Sequence, residues 1–273
     1  MANNKPIGVF DSGLGGLSVV KELKSILPYE NIVYFGDTGR VPYGTKSKST
    51  IVRYAVEDEK FLLSKDVKMV IAACGTVSSV ASHTGKKLPV PFVDVVLPTA
   101  KAAVLATENK KIGILGTSAT IKSQSFEKAI KKIDKNISTY SVACPLFVQL
   151  VESGWFHRND EVAVAAAKRY LEPIVQAGVD TIILGCTHFP ILSDVISDVV
   201  GSSVTLINSG KCAANAAAEL LNEKDMLSSN KKGKTIFYVS DKPDSFSKTA
   251  SYLLGDDIGA NVKLTKANDF GVK

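Results

Sequence analysis

The sequence is poor in the residues that hold metals, cross-link chains or cross membranes. Histidine occurs three times and cysteine four times in 273 residues, and no Cys-x-x-Cys pair is present. A zinc site would therefore lack ligands at the usual spacing, and no metal is expected. No run of 18 or more apolar residues occurs, which excludes a membrane-spanning helix and makes a membrane an unexpected partner. The opening "MANNKPIGVF" has neither the basic start nor the long apolar core of a signal peptide, so a cytoplasmic location with reduced thiols is expected. Arginine-rich arms and basic stripes interleaved with aromatics are also missing. The net charge of +6 is thus read as a mild attraction for anionic small molecules, with no nucleic acid expected.

What is present alternates. Apolar runs at 6–11, 31–37, 67–74, 90–96, 110–117, 138–144, 179–186, 203–209 and 234–241 predict strands. Amphipathic segments at 15–27, 48–64, 76–86, 98–107, 119–133, 160–177, 190–200, 210–222 and 243–254 predict helices between most of them. Strict strand–helix alternation, with strands lacking polar alternation, predicts an α/β protein with largely parallel sheets covered on both faces. A strand followed by Gly, Ser or Thr and then a helix occurs after Asp11, Cys74, Thr117 and Cys186. Ligands of open α/β sheets sit at the carboxyl ends of strands. Four such ends reach one cleft most simply from two sheets, so two similar α/β lobes are expected, with the active site between them. The stretches 97–104 and 207–215 are the expected crossovers.

Two of these strand ends match. "VIAACGTVSS" (70–79) and "TIILGCTHFP" (181–190) each end a buried strand in a cysteine beside threonine, at a helix start. A buried free cysteine is ordinarily a small hydrophobe, and Cys144 and Cys212 are read that way. Cys74 and Cys186 differ in having hydroxyls (Thr76, Thr187) and free backbone N–H groups beside them. Such a setting can hold a carboxylate or activate a thiol. Two thiols facing one ligand suggest removal of a proton from one face and delivery to the other.

The neighbours keep two readings each. Asp11 suits an N-cap or a site carboxylate. His188 suits a helix end or an acid/base partner of Cys186. Glu152, in an apolar stretch, suits a helix end or a partner of His188. "FDSGLGGLSVV" resembles a phosphate loop, but its spacing is not G-x-G-x-x-G; Asp37 supplies the acid a nucleotide site would want. "DTGRVPYGTKS" (37–47) reads as a loop able to close over a ligand.

Together "IGVFDSGLGGLSVV", "VYFGDTGRVPYG", "AACGT", "GILGT", "ACPLFVQLVESG" and "ILGCTHFPIL" resemble the cofactor-independent aspartate/glutamate racemase family over nearly the whole chain. The resemblance implies two α/β lobes: 1–97 plus 210–273 as the first, 98–209 as the second. It implies racemisation of L-glutamate to D-glutamate for peptidoglycan, hence a role in cell shape, with no cofactor and in a homodimer. The alternative is a racemase of aspartate or a related cofactor-free enzyme of the family. Cys74 would remove the α-proton of the D-enantiomer and Cys186 that of the L-enantiomer. Asp11 would assist the first thiol, and Glu152 and His188 the second. Asp11, Ser12, Tyr43, Gly44, Gly75, Thr76, Thr117, Thr120, Thr187 and His188 would hold substrate. One departure stands out: the family usually has Asn where this chain has Gly75. Loss of that amide would remove about 1–3 kcal/mol of hydrogen bonding, with Ser78 or water as the expected replacement. A non-catalytic binder of acidic amino acids would need no thiol pair, and a redox pair would need thiols close enough to bond.

Overall fold

A computed structural model describes residues 3–265, so the first two and last eight residues of the first-lobe assignment lie outside the described residues. The described residues form ten strands: β1 (Ile7–Asp11), β2 (Ile32–Gly36), β3 (Met69–Ala72), β4 (Phe92–Asp94), β5 (Lys111–Gly116), β6 (Ser138–Ala143), β7 (Thr181–Leu184), β8 (Thr205–Asn208), β9 (Thr235–Val239) and β10 (Val262–Leu264). They make two sheets, ordered β10-β9-β2-β1-β3-β4 and β6-β5-β7-β8. Every pairing is parallel. The expected α/β class and its two parallel sheets are therefore found.

Each sheet repeats one topology. The first strand of the unit (β1 or β5) is flanked by the second (β2 or β6) on one side and the third (β3 or β7) on the other. Chain direction across the sheet reverses there, which opens a crevice at the strand ends. Helix Val96–Ala106 carries the chain from β4 to β5, and helix Ser209–Glu223 returns it from β8 to β9. The expected crossovers are thus helices.

Both faces of each sheet are covered, which is why the strands read as unbroken apolar runs. Ile7 and Val9 pack on one side of β1 with Leu17, Leu23 and Phe237, while Phe10 packs on the other with Phe35, Phe61 and Leu62. In β7, Ile182 and Leu184 face one core and Ile183 the other. Burying each such side chain contributes about 1.5–3 kcal/mol.

The structure departs from the expected elements where local backbone decides. Gln124 takes a left-handed conformation (φ 55°) and splits the expected 119–133 helix into Ser118–Ser123 and Ser125–Ile133. The 76–86 helix breaks at Ala81 into Gly75–Val80 and Ser82–Gly85. Helix Pro145–Glu152 has no counterpart among the expected helices beyond the helix end that Glu152 suggests; its run "PLFVQLVE" buries Phe147, Val148, Leu150 and Val151, and proline occupies its first turn. Strand β10 is three residues long and partly exposed, too short to carry a pattern.

A buried ion pair closes the end of the first lobe away from the cleft. Lys68 Nζ lies 2.6 Å from Glu30 Oε2, with side-chain exposures of 0% and 2%. It also donates to the carbonyls of Asn3 (2.6 Å) and Met226 (2.7 Å). Removing one partner leaves a buried charge uncompensated. Glu30→Ala is expected to cost about 3–5 kcal/mol in urea unfolding, without altering ligand binding at the distant cleft. A loss under about 1 kcal/mol would mean that the pair is solvated.

Candidate active site

The carboxyl ends of β1, β3, β5 and β7 converge on a cavity of about 260 Å³ between the sheets. Cys74 lies two residues beyond β3, and Cys186 two beyond β7. Both thiols line the cavity and are buried, at 4% and 6% exposure. They are free thiols, as are Cys144 and Cys212. Ser12, Tyr43, Gly44, Gly75, Thr76, Thr117, Thr187, His188 and Glu152 also line it. Of the expected site residues, only Asp11 and Thr120 stand behind the wall.

Around the second thiol the side chains form a chain. Cys186 Sγ lies 3.8 Å from His188 Nδ1, and His188 Nε2 lies 3.2 Å from Glu152 Oε1. Glu152 ends helix Pro145–Glu152, so its two readings, helix end and histidine partner, are the same position. Burial alone would push the His188 imidazole down. Its hydrogen bonds to Cys186 and Glu152, with negative charge at Cys186 and Asp11, outweigh this and hold it at about 10.

Around the first thiol the charge is of opposite sign. Burial and the nearby Asp11 carboxylate push the Cys74 thiol up to about 12, partly offset by the Val77 N–H and Ser12. Ser12 Oγ is 3.8 Å from Cys74 Sγ. Asp11 is fully buried; desolvation raises its carboxyl, against the lowering effect of His188 and of hydrogen bonds from Gly13, Gly16 and Thr187. Thr187 Oγ1 donates to Asp11 Oδ1 across the cleft at 3.3 Å.

The hydroxyls are linked as well. Thr76 Oγ1 and Thr117 Oγ1 are 3.0 Å apart across the cleft. Thr120 Oγ1 lies 3.0 Å from Thr117 Oγ1 and stays behind it, so it orients Thr117 instead of facing the cavity. The Tyr43 hydroxyl donates to Asp37 and to Asp58 Oδ2 (3.0 Å). Arg40 bonds Asp37, Glu57 and Asp58. Tyr43 therefore presents its ring and backbone to the cavity, with its hydroxyl spent in this network. Asp37 also accepts from Ser240 Oγ at 2.8 Å, so it is engaged within the first lobe and not displayed as a ribose ligand.

Ser78 does not replace the absent amide at position 75. Its hydroxyl donates to the Ala72 carbonyl (3.0 Å) and accepts from Val95 N–H (3.3 Å). Cys144 is buried in the second lobe's core and Cys212 packs at the edge of another. Val148 and Gln149 line the cavity from helix Pro145–Glu152. Sequence reading missed them with the helix; the proline ahead of a mostly apolar run was the available signal.

Two buried thiols, each with its own polar neighbours, thus stand on facing strand ends of a two-lobed α/β protein and line one small cavity. The chain belongs to the Asp/Glu/hydantoin racemase family, whose model matches residues 8–217. It is 42% identical over 257 residues to a glutamate racemase of Geobacter metallireducens, covering 93% of this chain and 94% of that one. It is 44% identical over 259 residues to a glutamate racemase of a Sulfurihydrogenibium species, covering 92% and 94%. Among solved structures, glutamate racemase from Francisella tularensis in complex with D-glutamate superposes with a TM-score of 0.90 at 36% identity, covering 98% of this chain and 99% of that one.

The His188 imidazolium is raised above its ordinary 6.5, so its charge persists through neutral pH and is lost as pH rises through about 10. The stability it contributes is complete below pH 6.5 and fades over that same window. Glu152→Gln weakens one of the bonds that raise it and is expected to move the His188 titration to lower pH. Histidine-labelled NMR resolves this with only three histidines in the chain. An unmoved titration would show that Glu152 does not control the ring.

Proposed function

We propose that this protein interconverts L- and D-glutamate by a two-thiol, two-base transfer at Cys74 and Cys186. The observation that carries the reading is that both thiols, from different sheets, line one cavity, each with its own acid/base neighbour. The thiolate on one side takes the α-proton, breaking the Cα–H bond. The thiol on the other side gives its proton to the opposite face. The two sulfurs then hold each other's starting protonation, which Asp11 on one side and the Glu152–His188 pair on the other reset.

Among the described residues the cavity wall carries no lysine, so none of them offers an amine for an imine to the substrate. The barrier must be lowered by position and by donors to the charge developing on the α-carboxylate. Donors are available among the hydroxyls of Ser12, Thr76 and Thr117. The N–H groups that open helices Gly75–Val80 and Ser118–Ser123 also lack helical partners. The family relatives support glutamate as the substrate, and with it a supply of D-glutamate for peptidoglycan and so for cell shape. A cytoplasmic site of action and a homodimer belong to the same reading. No described helix is long and apolar enough to cross a membrane.

A groove beside the cavity shares Gly44, Thr45 and Ser118 with it and is lined by Lys46, Lys48, Lys122 and Lys128, with no carboxylate among the described residues. This is a positive entrance for a dicarboxylate.

Proton NMR in D2O tests the assignment. The α-proton signals of both glutamate enantiomers are expected to disappear while aspartate is untouched, and the KM for glutamate is expected to rise severalfold with added salt as the lysines are screened. No exchange from either glutamate enantiomer, with thiols kept reduced, would overturn the reading.

A further inference from the structure

The loop that follows β2 lines the cavity with residues 41–45, while the Tyr43 hydroxyl points back into the first lobe. There it meets two fully buried carboxyl groups: Asp37 at the start of the loop and Asp58 on helix Lys48–Leu63. A phenol has a single hydrogen. It can donate to only one of the two at a time, so the other contact needs a hydrogen from the carboxyl itself.

The remaining bonds decide which carboxyl supplies it. Asp37 is filled by donors: Arg40 Nε and the Tyr43 hydroxyl reach Oδ2, and Ser240 Oγ reaches Oδ1 at 2.8 Å. Asp58 Oδ1 accepts from Arg40 Nη2 at 3.0 Å, whereas its Oδ2 meets the Tyr43 oxygen at 3.0 Å. Asp58 Oδ2 is therefore the atom with room for a proton. The count of charges agrees. Asp37, Glu57 and Asp58 surround Arg40, and the further cation paired with them among the described residues is Arg53, 3.9 Å from Glu57 Oε1. One proton on Asp58 leaves two acids against two guanidinium groups.

We infer that Asp58 is a positioning residue: its carboxyl donates to Tyr43, Tyr43 donates to Asp37, and this chain braces the cavity-wall loop against helix Lys48–Leu63. Three points are tied together: the start of the loop, its cavity segment and the helix behind it. Burial and the neighbouring Asp37 push the Asp58 carboxyl well up, against the opposing effects of Arg40 and Tyr43. Among the described residues, the groups facing it are Asp37, Arg40 and Tyr43 from the loop and Glu57 from its own helix. The consequence for substrate binding rests on the proposed racemisation; the bonding pattern does not.

Asparagine imitates a protonated Asp58, because its oxygen accepts from Arg40 and its amide donates to Tyr43. At pH 7, Asp58→Asn is expected to melt at or above the wild-type temperature. A clear fall would mean that Arg40 has lost a charged partner, and would overturn the inference. Carbon-13 NMR of aspartate-labelled protein reads the proton directly. The Asp58 carboxyl, assigned by its loss in Asp58→Asn, is expected at the protonated position at pH 7; an ionised position overturns the inference.

Asp58→Leu keeps the bulk and removes the donor. Amide exchange in residues 41–45 is expected to quicken at least about tenfold in this variant and not in Asp58→Asn; unchanged exchange overturns the bracing. In the racemase assay Asp58→Leu is expected to raise the KM for glutamate about tenfold with a smaller change in kcat, while Asp58→Asn stays within about twofold. If Asp58→Leu does not fold, Tyr43→Phe removes the middle hydroxyl, keeps the ring and is expected to shift exchange and KM in the same way. A protonated Asp58 and quickened exchange in a protein that fails to racemise glutamate would uphold the brace and refute only the substrate assignment.

Discussion

The hydrogen bond from Thr187 Oγ1 to Asp11 Oδ1, at 3.3 Å, joins the two lobes at a carboxylate with no access to water. A buried charge is unfavourable unless it is paired and hydrogen-bonded. Asp11 is compensated within its own loop by the N–H groups of Gly13 (2.9 Å) and Gly16, and from the other lobe by Thr187 and His188. There, Thr187 supplies the hydroxyl and His188 the opposite charge. Each lobe thus carries half of a buried electrostatic pair, and both halves are satisfied only when the cleft is shut. The thiols and the threonine pair Thr76–Thr117 face each other across the same cleft.

The same arrangement makes the two thiols unlike. Cys74 stands beside a carboxylate, which with burial pushes it up to about 12. Cys186 stands beside an imidazolium that persists to about pH 10. In the proposed reaction one sulfur must hold its proton while the other lacks it. A negative neighbour on one side and a positive one on the other separate those states without a cofactor. The hydroxyls and helix-end N–H groups between them offer donors to a carboxylate in a wall with no lysine among the described residues.

Much of this was legible in sequence because the chemistry sits on regular elements. Unbroken apolar runs gave away the parallel strands, and the repeated strand–Cys–Thr pattern marked both thiol sites. The crossovers at 97–104 and 207–215 were found for the same reason, although as helices. Other features depend on tertiary placement. Tyr43 matched a substrate position and lines the cavity, but its hydroxyl is held by Asp37 and Asp58, 6 and 15 residues away. Thr120 matched a substrate position and instead backs Thr117. Ser78 was adjacent enough to replace an amide at Gly75, yet a turn of helix points it at Ala72. Helix Pro145–Glu152 is apolar on most sides, so it lacked the periodicity that reveals a surface helix.

The central claim is that Cys74 and Cys186 serve opposite faces of one substrate. Rates of α-proton exchange into D2O for each glutamate enantiomer, measured separately with Cys74→Ser and Cys186→Ser, test it most directly. Racemisation is expected to fall about 10²–10⁴-fold in both variants, with Cys74→Ser impairing proton removal from D-glutamate more and Cys186→Ser from L-glutamate more. Racemisation near the wild-type rate in either variant, or equal loss for both enantiomers in both, would contradict the account.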